Sequence, residues 1–449
     1  MSDWKKYKLC EIGIIKTGKT PPSKCNNAFS NFSGIPFVTP KDMVGSKWIS
    51  HTERYLTKDG LNTVSNYLVD ENSISVSCIG SDMRKAALLK NKSVTNQQIN
   101  TLTVNQKHNY EYIYYILSKM QDFFKSISGG SATPILNKSD FSNIEILLPD
   151  IETQNRNIEY LKYLDEKIQL NTQINQTLEN IAQAIFKSWC IDFDPVRAKA
   201  TALADGLTPA QAERAAMSVI SSKNPAELDR LQTENPDQYQ QLLALAQAFP
   251  SEFEEVEGFG EVPRGWEILK FKDFVTESKE KVGERTGIEE FSVGNNGITP
   301  RSEKYKKSLS KTPEKNKIIN NGYVVFGMGS QTLNWGIMQL GEGSVSPAYF
   351  VYKTNEKIVN YQYLSLFIKA YEQDYQSLIK PTSRQGQSVD REMFLAKEIY
   401  IPDNKLLNIF MSTYHSIIKL KDSLNNEIAF LEKTRDFLLP KLLTGEIKL

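Results

Sequence analysis

Ile146-Leu147-Leu148-Pro149-Asp150, preceded by Asp140-Phe141, returns 253 residues later as Ile399-Tyr400-Ile401-Pro402-Asp403, preceded by Met393-Phe394. In both places a short apolar run stops at Pro-Asp and leads straight into a long polar-apolar stretch. The first stretch, 152–189, sets apolar residues at Leu161, Leu164, Ile168, Ile174, Leu178, Ile181 and Ile185; the second sets Ile417, Leu420, Leu424, Ile428, Leu431 and Leu438. Steps of three and four without internal Pro or Gly predict helices with a narrow apolar seam. At an offset of 250 the seams coincide: Ile168 with Ile418, Leu170 with Leu420, Ile174 with Leu424, Leu178 with Ile428, Ile181 with Leu431. Such helices invite pairing as an antiparallel coiled coil, with Asn175 and Asn425 as a register-fixing polar layer. The alternative is that each helix packs on its own globular half. A helix of ~38 residues runs roughly 57 Å at 1.5 Å per residue.

Outward from these helices the chain repeats itself. Ser77-Cys78-Ile79-Gly80-Ser81 returns as Phe326-Gly327-Met328-Gly329-Ser330, 249 residues on. β-rich runs at 35–38, 73–79 and 98–104, then 323–326 and 349–352, alternate with turn signals. Helix-like runs follow at 110–124 and 360–377. The expected fold is a two-lobed α/β or α+β chain with a pseudo-twofold internal repeat. Its parts are a head at 1–150, a long helix at 151–192, an acidic helical linker at 193–262, a second head at 263–402 and a second long helix at 403–449. In the linker, Asn224-Pro225 and Asn235-Pro236 suit helix starts.

The 449 residues, 40% hydrophobic and 24% charged, suit two or three globular domains and exclude wholesale disorder. No apolar run reaches the length of a membrane span, and the first residues hold none of signal-peptide length. The scattered Cys10, Cys25, Cys78 and Cys190 form no disulfide framework or CxxC pair, which fits a reducing cytoplasm. His51, His108 and His415 lie too far apart in sequence for a His-rich metal site. The net charge of +1 is unevenly spread. Residues 1–150 hold 18 basic and 13 acidic side chains, 263–402 hold 20 and 16, and 201–262 hold 3 and 11. The heads therefore permit a polyanionic partner.

Two catalytic patterns fail on context. Gly13-Ile14-Ile15-Lys16-Thr17-Gly18-Lys19-Thr20 spells a P-loop, but Pro21-Pro22 disfavours the helix whose N-terminus would hold phosphate. Pro149-Asp150 with Asp165-Glu166-Lys167 mimics a metal nuclease, yet Asp165 and Lys167 diverge by about 200° around a helix. No catalytic constellation and no metal site is expected. The loops instead carry residues that bind phosphates and read base edges. In the first head these are Lys19, Thr20, Lys24, Ser81, Arg84, Lys85 and Gln97. In the second they are Asn295, Asn296, Arg301, Lys304, Ser330, Gln331, Asn334, Arg384 and Gln385.

Further residues carry a resemblance: Ser128-Gly129-Gly130-Ser131-Ala132-Thr133, Phe193-Asp194-Pro195-Val196-Arg197-Ala198-Lys199, and Gly260-Glu261-Val262-Pro263-Arg264-Gly265-Trp266. With them the chain resembles, over nearly its whole length, the DNA-specificity subunit of Type I restriction–modification enzymes. That resemblance implies two target-recognition domains, each reading half of a split, asymmetric site on double-stranded DNA, held apart by two antiparallel helices. It implies two methylation subunits docked on the helices, at a seam and interface including Leu161, Ile168, Ile174, Leu178, Ile181, Leu420, Leu424, Ile428 and Leu431. The restriction subunits would join that core, and S-adenosylmethionine, ATP and Mg²⁺ would be bound by the partners. The rival readings are a self-contained DNA-modifying enzyme and a coiled-coil adaptor with no DNA role.

Overall fold

The computed structural model describes residues 4–43, 47–78, 86–127, 135–257, 260–294, 297–303, 311–328, 333–382 and 386–447. It forms two compact units, 1–173 with 424–449, and 174–423.

In the first unit a five-stranded sheet runs Gly13–Thr17, Ile99–Val104, Ile74–Ser77, Ala86–Leu89, Trp48–Ile49. Neighbours are antiparallel except the last, which joins parallel. The second strand, Ile99–Val104, is flanked on both sides, and two of its threonine hydroxyls pair with the strand beside it or its approach: Thr103 with Ser73 at 2.8 Å and Thr101 with Ser75 at 3.3 Å. A second sheet of four short strands, Phe29–Ser30, Arg54–Leu56, Ile35–Val38 and Val94–Thr95, covers 29–56. The helix Tyr110–Lys119 is N-capped by Asn109, whose Oδ1 accepts from the amides of Glu111 and Tyr112. Its Tyr112, Ile113 and Leu117 join a core that also takes in Ile158, Leu161, Leu439 and Leu442 from the two long helices.

The second unit repeats this plan. The edge pair Lys5–Lys8 with Glu145–Leu148 is matched by Glu267–Lys270 with Glu398–Ile401, both antiparallel. A one-turn helix follows each, Leu9–Ile12 and Phe271–Phe274. The strand order Val275–Glu277, Phe350–Thr354, Tyr323–Met328, Leu333–Ile337 matches the first four strands of the five-stranded sheet. The helix Tyr361–Ala370 is capped by Asn360 through the same two amides as its counterpart. The two α+β lobes thus share this skeleton, while their smaller sheets differ: four strands in the first, separate strand pairs in the second.

The long helices, Ile151–Cys190 and Asn404–Thr444, begin at the repeated aspartates. Asp150 Oδ1 accepts from the Thr153 amide at 2.8 Å, and Asp403 Oδ1 from the Leu406 amide at 2.9 Å. Within each unit the helices run antiparallel. In the first, Asn157 Nδ2 donates to the Leu442 carbonyl, Asp165 meets Arg435, and Lys167 meets Glu427. In the second, Glu179 meets Lys421, and Phe186 packs on Phe410.

The seam lies one residue away from part of its expected course. Leu161 is fully buried, and Ile168, Ile174, Leu178, Leu424, Ile428 and Leu431 are half-buried. Ile181 is 43% exposed, Leu170 49% and Leu420 48%. Buried or half-buried Asn171, Ala182 and Lys421 follow them directly. A strict alternation of three and four selects these smaller or polar residues, so the large apolar neighbours point outward.

The acidic segment is helical in Asp194–Ala204, Pro209–Ser221, Pro225–Glu234 and Pro236–Ala248, but its end is not: Phe253–Val256 pairs antiparallel with Gly260–Pro263. Asn224 and Asn235 cap the last two helices, and Ala216, Met217, Leu228, Tyr239 and Ala246 form a small separate core. Its two joints are the signature runs. Phe193, in the left-handed region at φ 56°, stops the first long helix. Its ring packs on Trp266 at 5.3 Å and Tyr400 at 5.4 Å. Arg197 lies 3.5 Å from Glu261, while the buried Lys199 donates to the Phe249 carbonyl at 2.7 Å and pairs with Glu213 at 3.0 Å.

Candidate nucleic-acid interface

In the first head, the loop after Gly13–Thr17 is pressed onto the turn between Val94–Thr95 and Ile99–Val104. The Gly18 amide donates to the Ile99 carbonyl at 3.1 Å and the Lys19 amide to the Thr95 carbonyl at 2.9 Å. A Cβ at Gly18 would stand 2.1 Å from the Thr95 carbonyl oxygen, so only glycine allows this approach. Thr20 Oγ1 then donates to Gln97 Oε1 at 2.7 Å, and the Lys19 ammonium hangs over the Tyr67 ring at 5.3 Å. Lys19, Thr20 and Gln97 therefore form one polar patch, with Lys19 and Gln97 exposed. Lys24 is exposed on the following loop. Ser81, Arg84 and Lys85 lie outside the described residues.

The same geometry disposes of the P-loop. No helix begins at Lys19-Thr20, and the Gly18 and Lys19 amides that would face phosphate are spent on carbonyls. The nuclease pattern fails as well. Asp150 is a helix cap, whose hydrogen bonds from the Thr153 amide and hydroxyl lower its pKa. Asp165 is committed to Lys47 and Arg435.

In the second head, two of the expected residues anchor the strand Phe291–Gly294. The Arg301 guanidinium pairs with Glu290 at 3.2 Å, and its amide donates to the Glu290 carbonyl. Asn334 Nδ2 donates to the Val293 carbonyl at 3.1 Å. These contacts hold the base of the hairpin from Phe291–Gly294 to Gly297–Pro300, so both side chains hold loop shape. Asn295, Asn296, Lys304, Ser330, Gln331, Arg384 and Gln385 lie outside the described residues.

Among the described residues no group of three His, Cys, Asp or Glu side chains could hold a metal ion, and no helix is long and apolar enough to cross a membrane. Burial pushes the Cys78 thiol up to about 11 and raises Cys190 further, so both stay protonated near neutrality.

Sequence reasoning missed a largely buried polar cluster where the first head meets the long helices. Lys47 Nζ reaches Glu111 at 2.7 Å and Asp165 at 3.0 Å, and the Tyr115 hydroxyl donates to the Asp165 carboxylate. It ties the first head to both long helices. An isolated Lys47 in a loop carries no periodic signal that could have announced it.

Residues 1–180 match the family model described as the Type I restriction modification DNA specificity domain. The HindI Type I restriction enzyme specificity subunit of Haemophilus influenzae is 30% identical over 479 aligned residues, spanning 100% of both chains. The MjaIX specificity subunit of Methanocaldococcus jannaschii is 24% identical over 465, spanning 99% of this chain and 94% of that one. The Type I restriction–modification S subunit from M. genitalium superposes with a TM-score of 0.49 at 11% identity, over 98% of this chain and 96% of that one. With a full-length relative at 30% identity, the chain belongs to the specificity-subunit family of Type I restriction enzymes.

Proposed function

We propose that this chain is the non-catalytic DNA reader of a multisubunit methyltransferase and endonuclease, acting in the cytoplasm. Residues 1–150 and 263–402 are its two target-recognition domains, each reading one half of a bipartite, asymmetric site. The long helices set the separation of the half-sites and carry two methylation subunits, with the restriction subunits joining that core. S-adenosylmethionine, ATP and Mg²⁺ belong to those partners.

The observation that carries this reading is one skeleton bearing two different sets of loops. The edge strand pair, the one-turn helix, the Asn-capped helix and the Asp-capped long helix recur. The loops do not: the first head offers Lys19, Thr20, Lys24 and Gln97, whereas in the second Arg301 and Asn334 brace a hairpin that the first head lacks among the described residues. Unlike readers on like frames suit an asymmetric site. The methylation subunits would sit on the outward side chains of the helices, where Tyr163, Leu170, Ile181, Leu420, Phe430 and Phe437 leave apolar surface in water.

Exchanging residues 1–150 for the head of another family member tests the reading, with methylome sequencing of the host as readout. A motif changed in one half only is expected. A change in both halves refutes it, and so does DNA methylation by the purified chain alone with S-adenosylmethionine.

A further inference from the structure

We propose that Phe32 is a stacking wedge of the first head, its ring inserted against a base step of the half-site that this head reads. The inference rests on the DNA-reading function proposed above. Phe32 is 93% exposed, the most exposed large apolar side chain among the described residues. The fold forgoes the stabilisation that burying this ring would bring. Its two sequence neighbours of the same kind are used otherwise: Phe29 and Phe37 pack edge to face at 5.0 Å beneath the Arg54 guanidinium.

The turn that presents Phe32 is built. Ser30 Oγ accepts from the Phe32 amide at 3.2 Å and from the Ser33 amide at 3.5 Å. Gly34 closes the turn at φ 136°, and a Cβ there would lie 2.2 Å from the Leu56 carbonyl oxygen. The ring is therefore held out from the sheet by a turn that needs glycine at its end. The sequence that flanks it is basic. Besides Lys47, which is spent on Glu111 and Asp165, residues 13–59 contain six basic side chains (Lys16, Lys19, Lys24, Lys41, Arg54, Lys58) and three acidic ones, Asp42, Glu53 and Asp59. Lys19, Lys24, Lys41 and Lys58 stand exposed. A fixed aromatic knob on a cationic surface is how proteins unstack or cap bases while lysines hold the flanking phosphates.

The test uses the chain assembled with its methylation subunits and a duplex carrying the motif that the complex methylates. Phe32→Ala should leave the melting temperature unchanged, because the ring touches little of the fold. It should weaken binding by roughly 5- to 150-fold, the equivalent of the ~1–3 kcal/mol that one stacked base contributes. The salt dependence of binding should not change, since no charge is removed. Phe32→Tyr should restore affinity. In Phe32→Trp, the added emission should be quenched by the specific duplex and not by one scrambled in the first half-site. Unchanged affinity of Phe32→Ala, or an unquenched tryptophan, overturns the wedge while the DNA-reading function stands. Loss of subunit assembly with normal DNA affinity makes Phe32 a protein-docking knob and overturns it too. A wild-type complex that fails to bind the duplex removes the reading on which the wedge rests.

Discussion

Replacing Lys47 by methionine probes how the first head is fixed to the long helices. The change keeps an unbranched side chain against the Tyr115 ring, over which the ammonium sits at 4.5 Å, and removes the charge with its hydrogen bonds to Glu111, Tyr115 and Asp165. Lys47 is 13% exposed, Glu111 9% and Asp165 15%. Without Lys47, Asp165 still has Arg435 at 3.2 Å, but Glu111 is left without an ion-pair partner among the described residues. Breaking a buried pair costs about 3–5 kcal/mol, and the surviving Arg435 contact puts this case near 3 kcal/mol. For a cooperative unit of this size, each kcal/mol lowers the melting temperature by about 2–4 °C, so a fall of roughly 6–12 °C is expected. Circular dichroism and tryptophan fluorescence should report it together, since Trp48 is the next residue. A cycle with Asp165→Asn adds the decisive comparison: the double variant should lose about 0.5–3 kcal/mol less than the two single losses combined. A shift under roughly 2 °C, or strictly additive losses, would show that the cluster does not bind head to helix.

Three further outcomes follow from particular side chains. Burial opposes the charge on Glu179, yet hydrogen bonds from Lys421 and Gln183 and the nearby Lys421 and Lys369 charges draw its pKa from 4.5 down to about 2. A depressed carboxylate stabilises the fold above its unfolded pKa, so this contribution should fade as pH drops from about 4.5 towards 2, and Glu179→Gln should flatten acid unfolding in that window; an identical acid profile would contradict it. Asn171 is fully buried with neither amide atom bonded among the described residues, so Asn171→Leu should raise the melting temperature, by relief of about 1–3 kcal/mol; a fall would count against that account. Gly18→Ala puts a Cβ into two carbonyl oxygens and should cost about 1–3 kcal/mol while dispersing the Lys19, Thr20 and Gln97 patch, measured as lower stability and weaker DNA binding; unchanged values for both would refute the close approach.

Much of this architecture is legible in the sequence because it is local or repeated. Pro149-Asp150 and Pro402-Asp403 mark helix starts, Asn224 and Asn235 mark caps, and Pro21-Pro22 vetoes the nucleotide loop. Each depends on residues a few positions apart. The seam shows where that logic stops. Following the largest apolar residue leads to Leu170, Ile181 and Leu420, whereas the packed positions are Asn171, Ala182 and Lys421. Hydropathy cannot separate a seam residue from an outward one when the true seam is polar or small. Arg301 and Asn334 illustrate a second limit. An exposed-looking Arg or Asn in a loop is as able to hold a hairpin as to read a base, and Glu290 and the Val293 carbonyl, distant partners, decide it.

Those polar seam positions bear on the proposed role of the helices in setting the separation of half-sites. A seam of uninterrupted leucine would bind more tightly and accept several registers equally well, whereas polar residues at single positions select one register at a cost in stability. Here Asn157 reaches the Leu442 carbonyl and Asp165 reaches Arg435 in one unit, while Glu179 reaches Lys421 in the other. Sliding either helix by one heptad would separate all of these partners together. Seven residues advance a helix by about 10 Å, close to three base-pair steps of about 3.4 Å. A slipped pair would therefore address half-sites about three base pairs too near or too far. Under that proposal the charge pairs and asparagines that weaken the seam are what would make its length a usable measure, and a variant with these positions changed to leucine should melt later and tolerate more than one spacing. Single spacing in that variant, with all polar partners gone, would mean that the heads and not the helices set the distance.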